Sequence, residues 1–175
     1  MLASLNGHSD CITTLSNIYG DKIDYNAVDI KNYNVLMLAI SNGHIDCIKT
    51  LYSINIYNNK IDANAFNTFN HNALMLATIN NKVNCITLIY NIYGDTINCT
   101  AVDGNKRNAL MLAAWYGHAD CITTLYNIYG NTIDCNAVDI NNQNILMIAV
   151  RQGHIDCIKA VYACYGDTIN YKAVD

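Results

Sequence analysis

The residues best suited to chemistry in this sequence form a Gly-His-x-Asp-Cys motif that recurs at Gly7–Cys11, Gly43–Cys47, Gly117–Cys121 and Gly153–Cys157. A cysteine close to histidine and aspartate suggests a thiol that a neighbouring base could activate. An active site is singular, however, and this spacing at a helix start does not give base, nucleophile and orienting acid their required geometry. We therefore interpret the histidine as a turn residue and the cysteine as a core residue. The sequence predicts no catalytic residue and no enzyme.

Metal and disulfide chemistry fit these residues no better. The chain has no Cys-x-x-Cys or His-x-x-x-His pair, and the Cys157 to Cys164 spacing has no second pair beside it. We predict no metal and no cofactor. Disulfides between neighbouring copies are disfavoured because packed helices lie about 8–10 Å apart, whereas bridged Cα atoms lie within about 7 Å.

The cysteines instead reveal a repeat. Cys11, Cys47, Cys85, Cys121 and Cys157 follow one another at 36 residues, with one interval of 38. A fixed period of this size is typical of repeat proteins, in which each unit leaves an apolar face for its neighbour to cover. We predict that all five are buried thiols in a reducing compartment, which favours the cytoplasm. These five repeated positions form one column of cysteines. Cys99, Cys135 and Cys164 lie outside this column and are expected to be more accessible.

Composition excludes several classes of function. The net charge is −4 and the pI about 5.6, so the chain lacks the basic field that draws proteins onto nucleic acid or anionic lipid. No apolar run approaches the length of a membrane-spanning helix, about 18 residues. We predict no nucleic-acid or membrane partner.

Each copy carries two apolar-periodic stretches, illustrated by the unit that begins at Asp103. Asn108 can accept a hydrogen bond from a first-turn N–H, so it predicts a helix from Ala109 that ends at Gly117. A second helix should follow His118 and end at Gly130, where a left-handed cap is expected. The predicted unit is therefore helix, turn, helix and loop.

This plan resembles the ankyrin repeat. The residues that carry the resemblance are Asn108–Ala113, Gly117-His118, Cys121-Ile122, Gly130 and Asn136-Ala137, and they return in the same order along nearly the whole chain. The resemblance implies an all-α, ankyrin-like solenoid of stacked helix-turn-helix repeats with projecting loops.

The chain departs from the family pattern at several positions. Asparagine replaces threonine at the helix cap, and Lys106 stands where the other turns carry asparagine and the family carries glycine. The segment after the second helix is about three residues longer than in the family, whose period is roughly 33. The 38-residue unit has two further residues between Leu51 and Ile61.

The spacing predicts one ankyrin-repeat domain over residues 1–175. It comprises a partial repeat, 1–28, and the repeats 29–66, 67–102, 103–138 and 139–175. Because Met1–Gly7 aligns with Met37–Gly43, the first unit lacks its turn. We expect the chain to be part of a longer protein.

The resemblance also implies where a partner binds, since ankyrin repeats use their loop tips and the concave face formed by the first helices. Carried over by position, the partner-binding residues are Lys31, Tyr33, Phe69, His71, Arg107, Trp115, Tyr116, Gln143, Arg151 and Gln152. Aromatic residues and arginine dominate interface hot spots. The alternative for Trp115 is packing between units. Phe66, which replaces a repeated valine, is expected in the core.

These expectations favour a monomeric protein–protein interaction module with an unidentified protein partner. An alternative is that the chain is the targeting segment of a larger effector or enzyme, bacterial or viral, that acts in a host cytosol. The resemblance leaves open a third role, as a modification substrate. Asn26, Asn64 and Asn136 resemble ankyrin asparagines that are hydroxylated.

Overall fold

The computed structural model describes residues 1–55 and 61–171. Over these ranges the chain is entirely helical, with no β-strand, which confirms the all-α fold of helix-turn-helix repeats. It divides into two compact units, Met1–Ile97 and Asn98–Asp175. The inserted stretch at 56–60 and the end of the last predicted repeat, 172–175, lie outside the described residues. The predicted limits of the repeats and of a single domain stay predictions.

The first unit contains three helix pairs. Within it, α1 packs on α3 and α3 on α5, while α2 packs on α4 and α4 on α6. The helices are α1 (Leu2–Leu5), α2 (Ser9–Tyr19), α3 (Val35–Asn42), α4 (Ile45–Asn55), α5 (Ala73–Ile79) and α6 (Val83–Tyr93).

The second unit contains two helix pairs on the same plan. Helix α7 packs on α9, and α8 packs on α10. The helices are α7 (Ala109–Tyr116), α8 (Ala119–Tyr129), α9 (Ile145–Gln152) and α10 (Ile155–Tyr165).

Asparagine begins the first helix of each full pair, as predicted. Each cap Oδ1 accepts a hydrogen bond of 2.9–3.0 Å from the backbone N–H three residues later. The caps are Asn34, Asn72, Asn108 and Asn144. Gly117 closes α7 in the left-handed conformation, also as predicted.

The longer segment after the second helix is a short 3-10 turn, exemplified by Gly130–Thr132. Gly130 has φ 53° and ψ −130°, so it starts this turn rather than forming the left-handed cap that the sequence predicted. The same turn recurs at Gly20–Lys22, Gly94–Thr96 and Gly166–Thr168.

The core of each unit contains the repeated cysteines, whose burial was predicted, and the isoleucines that follow them, with two exceptions. Cys47, Cys85, Cys121 and Cys157 are buried, as are Ile48, Ile86 and Ile122. The prediction was wrong for Cys11, which is exposed because no described helix pair packs on the other side of α2. Ile158 is only half-buried, since α10 is the last described helix.

The three cysteines outside the column were expected to be accessible, and this was wrong for two of them. Cys99 and Cys135 are buried, whereas Cys164 is half-buried. Cys135 lies in a turn of the loop after α8. The loop therefore supplies core residues as well as connections.

Candidate functional site

The repeated histidine packs against the turn of the preceding helix pair. A Cβ added to Gly7 would lie 2.8 Å from His44 Nδ1, and His44 Nε2 lies 3.0 Å from the Leu5 carbonyl oxygen. In the second unit, His154 covers Gly117 in the same way, at 2.9 Å. The histidine therefore joins successive helix pairs, in agreement with its interpretation as a turn residue.

Four of the five repeated cysteines, Cys47, Cys85, Cys121 and Cys157, are core thiols. Burial raises the pKa of Cys85 to about 11, and burial together with the charge of Asp120 raises the pKa of Cys121 to about 12. The pKa of Cys157 rises to about 11 for the same reasons, burial and the neighbouring Asp156. Its Sγ donates toward the Ala113 carbonyl at 3.9 Å. A thiol held protonated in this way is a poor nucleophile.

No group of three or more His, Cys, Asp or Glu side chains among residues 1–55 and 61–171 is arranged to hold a metal ion. None of the helices in these ranges has the length and apolar character needed to cross a membrane.

A buried carboxylate shapes each turn of the second unit. Asp103 Oδ1 accepts from the N–H groups of Asn105 at 2.7 Å and Arg107 at 2.8 Å. Asp139 Oδ1 accepts in the same way from Asn141 at 2.8 Å and Gln143 at 3.0 Å. These hydrogen bonds hold the carboxylate inside the turn. They therefore fix the backbone at the predicted contact residues Arg107 and Gln143.

Asparagine side chains connect the loops of this unit, within one repeat at Asn108 and between neighbouring repeats at Asn136. Asn108 Nδ2 donates to the Asp134 carbonyl at 2.9 Å, while its Oδ1 caps α7. Asn136 donates to the Thr168 carbonyl at 2.8 Å and accepts from the Asn170 N–H at 2.6 Å. Each asparagine thus uses its amide N–H as a donor and its amide oxygen as an acceptor at the same time. A threonine hydroxyl carries both functions on one atom of a shorter side chain, so it could not reach both partners.

The strongest contact among the predicted residues is between Arg107 and Trp115. The Arg107 guanidinium carbon lies 4.1 Å from the centroid of the Trp115 ring, within the range of a cation–π interaction. Arg107 Nε also lies 3.5 Å from Asp103 Oδ2, with 13% of the arginine side chain exposed. Trp115 is half-buried beneath this arginine. The pair connects the turn to the first helix.

The neighbouring repeat makes a different contact at equivalent positions. Arg151 Nη1 donates to Gln143 Oε1 at 2.8 Å, and Arg151 is exposed. Tyr116 stacks on His118, with ring centroids 6.1 Å apart, rather than on Trp115. Gln152 ends α9 and is half-buried. The predicted residues of this unit thus form separate pairs: Arg107–Trp115 and Gln143–Arg151 each connect a turn to a first helix, and Tyr116 pairs with His118 at the end of α7.

The predicted residues of the first unit also pair along the turn. Phe69 stacks on His71 with centroids 6.0 Å apart, and Phe69 is 57% exposed. Lys31 is exposed, and its carbonyl accepts from the Thr68 N–H of the next turn at 3.0 Å. Tyr33 is half-buried, and its N–H donates to Asp29 Oδ1.

Two surface features were missed by the sequence analysis. Phe66 was expected in the core, but 39% of its surface is exposed. The valines at the equivalent position are also exposed: Val28, Val102 and Val138. The repetition of an apolar residue just before the turn was the available signal. Lys106 has φ 59°, a left-handed conformation that the equivalent asparagines also adopt. Its departure from asparagine was visible in the sequence, but its placement was not interpreted as functional.

The chain matches a model of a known protein family. A family model described as ankyrin repeats in three copies matches residues 1–101, 52–139 and 88–173. These overlapping matches cover nearly the whole chain. No curated protein matches it.

Proposed function

This chain belongs to the ankyrin-repeat family, and from that membership we propose that it binds a partner protein through its turn tips and first helices. Ankyrin repeats generally act as protein–protein interaction modules. The contact residues of the proposal are those on the turns and first helices, with Arg107 and Trp115 at their centre.

The observation that carries this proposal is the Arg107–Trp115 pair. Its ring and guanidinium lie 4.1 Å apart at an accessible position, where the neighbouring repeat places an exposed arginine. Tryptophan and arginine supply large contact area and planar hydrogen bonding, and they are enriched at interface hot spots. A pair that is already ordered loses less conformational entropy when a partner binds.

The hydrogen bonds of the turns support the same mechanism. Asp103 fixes the backbone of Arg107, and Ile140 N–H donates to the Asn105 carbonyl of the preceding turn at 3.0 Å. The contact residues are therefore presented on ordered turns rather than on long loops. Specificity arises from which side chains the turns carry.

Affinity capture with this chain, followed by mass spectrometry, would identify candidate partners, and calorimetry would then test the surface. We expect Trp115→Ala to weaken binding by about 2 kcal/mol or more, because it removes the aromatic contact area and the support of Arg107. The control is Tyr162→Ala, which removes an exposed aromatic residue from α10. Unchanged affinity in Trp115→Ala, with circular dichroism showing an intact fold, would move the interface elsewhere.

We further propose that the chain acts as a monomer in the cytoplasm. The support is that all eight cysteines are free thiols, most of them buried. Alkylation of the unfolded chain under non-reducing conditions should modify all of them, and sedimentation should give the monomer mass. A disulfide in the native protein would contradict the proposed compartment.

A further inference from the structure

We infer that the surface formed by the Lys106–Arg107 turn, Trp115 and Arg151 binds an acidic segment of the partner. This inference rests on the proposed function and adds the chemistry of the ligand. Three independent observations support it: a strained lysine, the distribution of charge within the second unit, and an exposed apolar position on the same turns.

Lys106 is held in a conformation that lysine adopts poorly. Its φ of 59° matches the 59°, 61° and 57° of Asn32, Asn70 and Asn142 at the equivalent positions. Asparagine tolerates this region because its short polar side chain can hydrogen-bond locally, whereas lysine has no such compensation. A residue kept in a disfavoured conformation at an exposed turn points to a role beyond folding.

Charge is unevenly distributed within the second unit. The carboxylates of its two turns, Asp103 and Asp139, are buried and accept backbone hydrogen bonds. Lys106 and Arg151 are exposed beside them, on the turn and the first helix. The exposed carboxylates lie elsewhere: Asp120 and Asp156 in the first turns of the second helices, and Asp134 and Asp167 in the segments after those helices. The turn surface is therefore cationic although the chain carries a net charge of −4.

Arg107 is best understood as a support rather than as a free charge. Its guanidinium is shared between the Trp115 ring and Asp103, so the carboxylate already offsets much of its charge. The exposed cations available to a ligand are Lys106 and Arg151. Carboxylates of the partner would contact these two groups.

The exposed apolar residues on the same turns set the second requirement for the ligand. Val102 and Val138 precede the two turns, and Ile140 lies within the second of them. A partner segment that alternates acidic and aliphatic side chains would contact both the cations and these apolar groups. A uniformly polar acidic segment would leave the apolar groups uncovered.

Trp115 provides the measurement, because it is the only tryptophan in the chain. The probe is a short synthetic peptide of Asp, Glu and Leu, and its control is the matching peptide of Asn, Gln and Leu. We expect the acidic peptide to change the Trp115 fluorescence saturably and more weakly at high salt. The neutral peptide should leave it unchanged at the same concentrations.

Lys106→Asn is the critical variant. It introduces the asparagine found at the equivalent turns, so it should raise the urea concentration at the midpoint of unfolding. It should also lower the affinity for the acidic peptide by about two- to fivefold. Arg151→Gln should weaken the peptide by a similar factor. The matched control is Lys159→Asn, since Lys159 is an exposed cation of α10 that pairs with Asp156 at 3.2 Å. It should leave the peptide affinity unchanged.

Equal binding of the two peptides, no binding of the acidic peptide, or equal loss in Lys106→Asn and Lys159→Asn would each overturn the acidic-ligand inference. None of these results bears on whether a captured partner depends on Trp115. If a captured partner bound Trp115→Ala as tightly as the unmodified chain, the proposed function itself would be overturned. The two failures are therefore distinguishable.

Discussion

The helix pairs α7–α8 and α9–α10 carry the same motif in different surroundings. Ile122 of the first pair is fully buried, whereas Ile158, at the equivalent position of the second, is half-buried. Gly117 is covered by His154, whereas a Cβ on Gly153 would meet no atom within 4 Å. Identical residues therefore differ in energetic importance because the following pair packs on one of them and not on the other.

The positions that differ between the two helix pairs show the converse, because different side chains lie on the same backbone geometry. The contact between the turn and the first helix is Arg107 with Trp115 in one pair and Gln143 with Arg151 in the next. The backbone geometry beneath them is the same, because each turn is held by a buried aspartate. The repeat thus separates the residues that maintain the fold from those free to change a binding surface. Paired substitutions at equivalent positions test this separation.

The largest difference is expected for the two isoleucines. Ile122→Ala should lower the free energy of unfolding by about 2–5 kcal/mol, because it leaves a cavity between packed helices. Ile158→Ala should cost about 1–2 kcal/mol, since part of that side chain already contacts water. Urea denaturation of both variants measures the difference. Equal losses of unfolding free energy in the two variants would show that burial by the following helix pair does not determine how much each isoleucine stabilises the fold.

The two glycines should give a smaller difference. Gly117 and Gly153 have φ of 79° and 74°, so alanine at either position pays the same left-handed strain of about 1–2 kcal/mol. Gly117→Ala should cost more, because its Cβ would lie 2.9 Å from the His154 ring.

A double-mutant cycle with His154→Ala sharpens this prediction. Removing the ring should recover the extra cost of Gly117→Ala but not that of Gly153→Ala. Thermal or chemical unfolding of the variants would measure the coupling. A coupling of zero would mean that the histidine moves aside freely.

The smallest difference is expected for the two arginines. Arg107→Met should lower the free energy of unfolding by about 1 kcal/mol, because it removes the cation–π contact and the guanidinium beside Asp103 Oδ2. Arg151→Met should change stability by less than about 0.5 kcal/mol, as expected for an exposed side chain. If Arg151→Met proved the more destabilising, the comparison between the two pairs would fail.

The sequence was sufficient for features that a repeat specifies locally. The cap at Asn108 and the end of α7 at Gly117 both depend on residues within one or two helical turns. Their repetition made each prediction more secure. Cys121 was placed in the core for the same reason, because its neighbours supply the apolar period.

Features that depend on a neighbouring repeat or on loop geometry were predicted poorly. Cys135 is buried although it lies in a turn of the loop after α8, where helical periodicity gives no information. Phe66 is exposed although it is aromatic, because its position precedes a turn. The Arg107–Trp115 contact spans eight residues across a turn, so helical spacing could not indicate it.

The bonds of Asn136 have a consequence for how such a chain changes over generations. Its amide contacts the Thr168 carbonyl and the Asn170 N–H, which are backbone atoms that any residue except proline would supply. In the first unit, Asn26 likewise accepts from the Asp62 N–H. Such a junction is indifferent to the side chains of the repeat that follows. When a gene segment encoding one repeat is duplicated or lost by recombination, this asparagine bond therefore needs no compensating substitution in the adjoining copy.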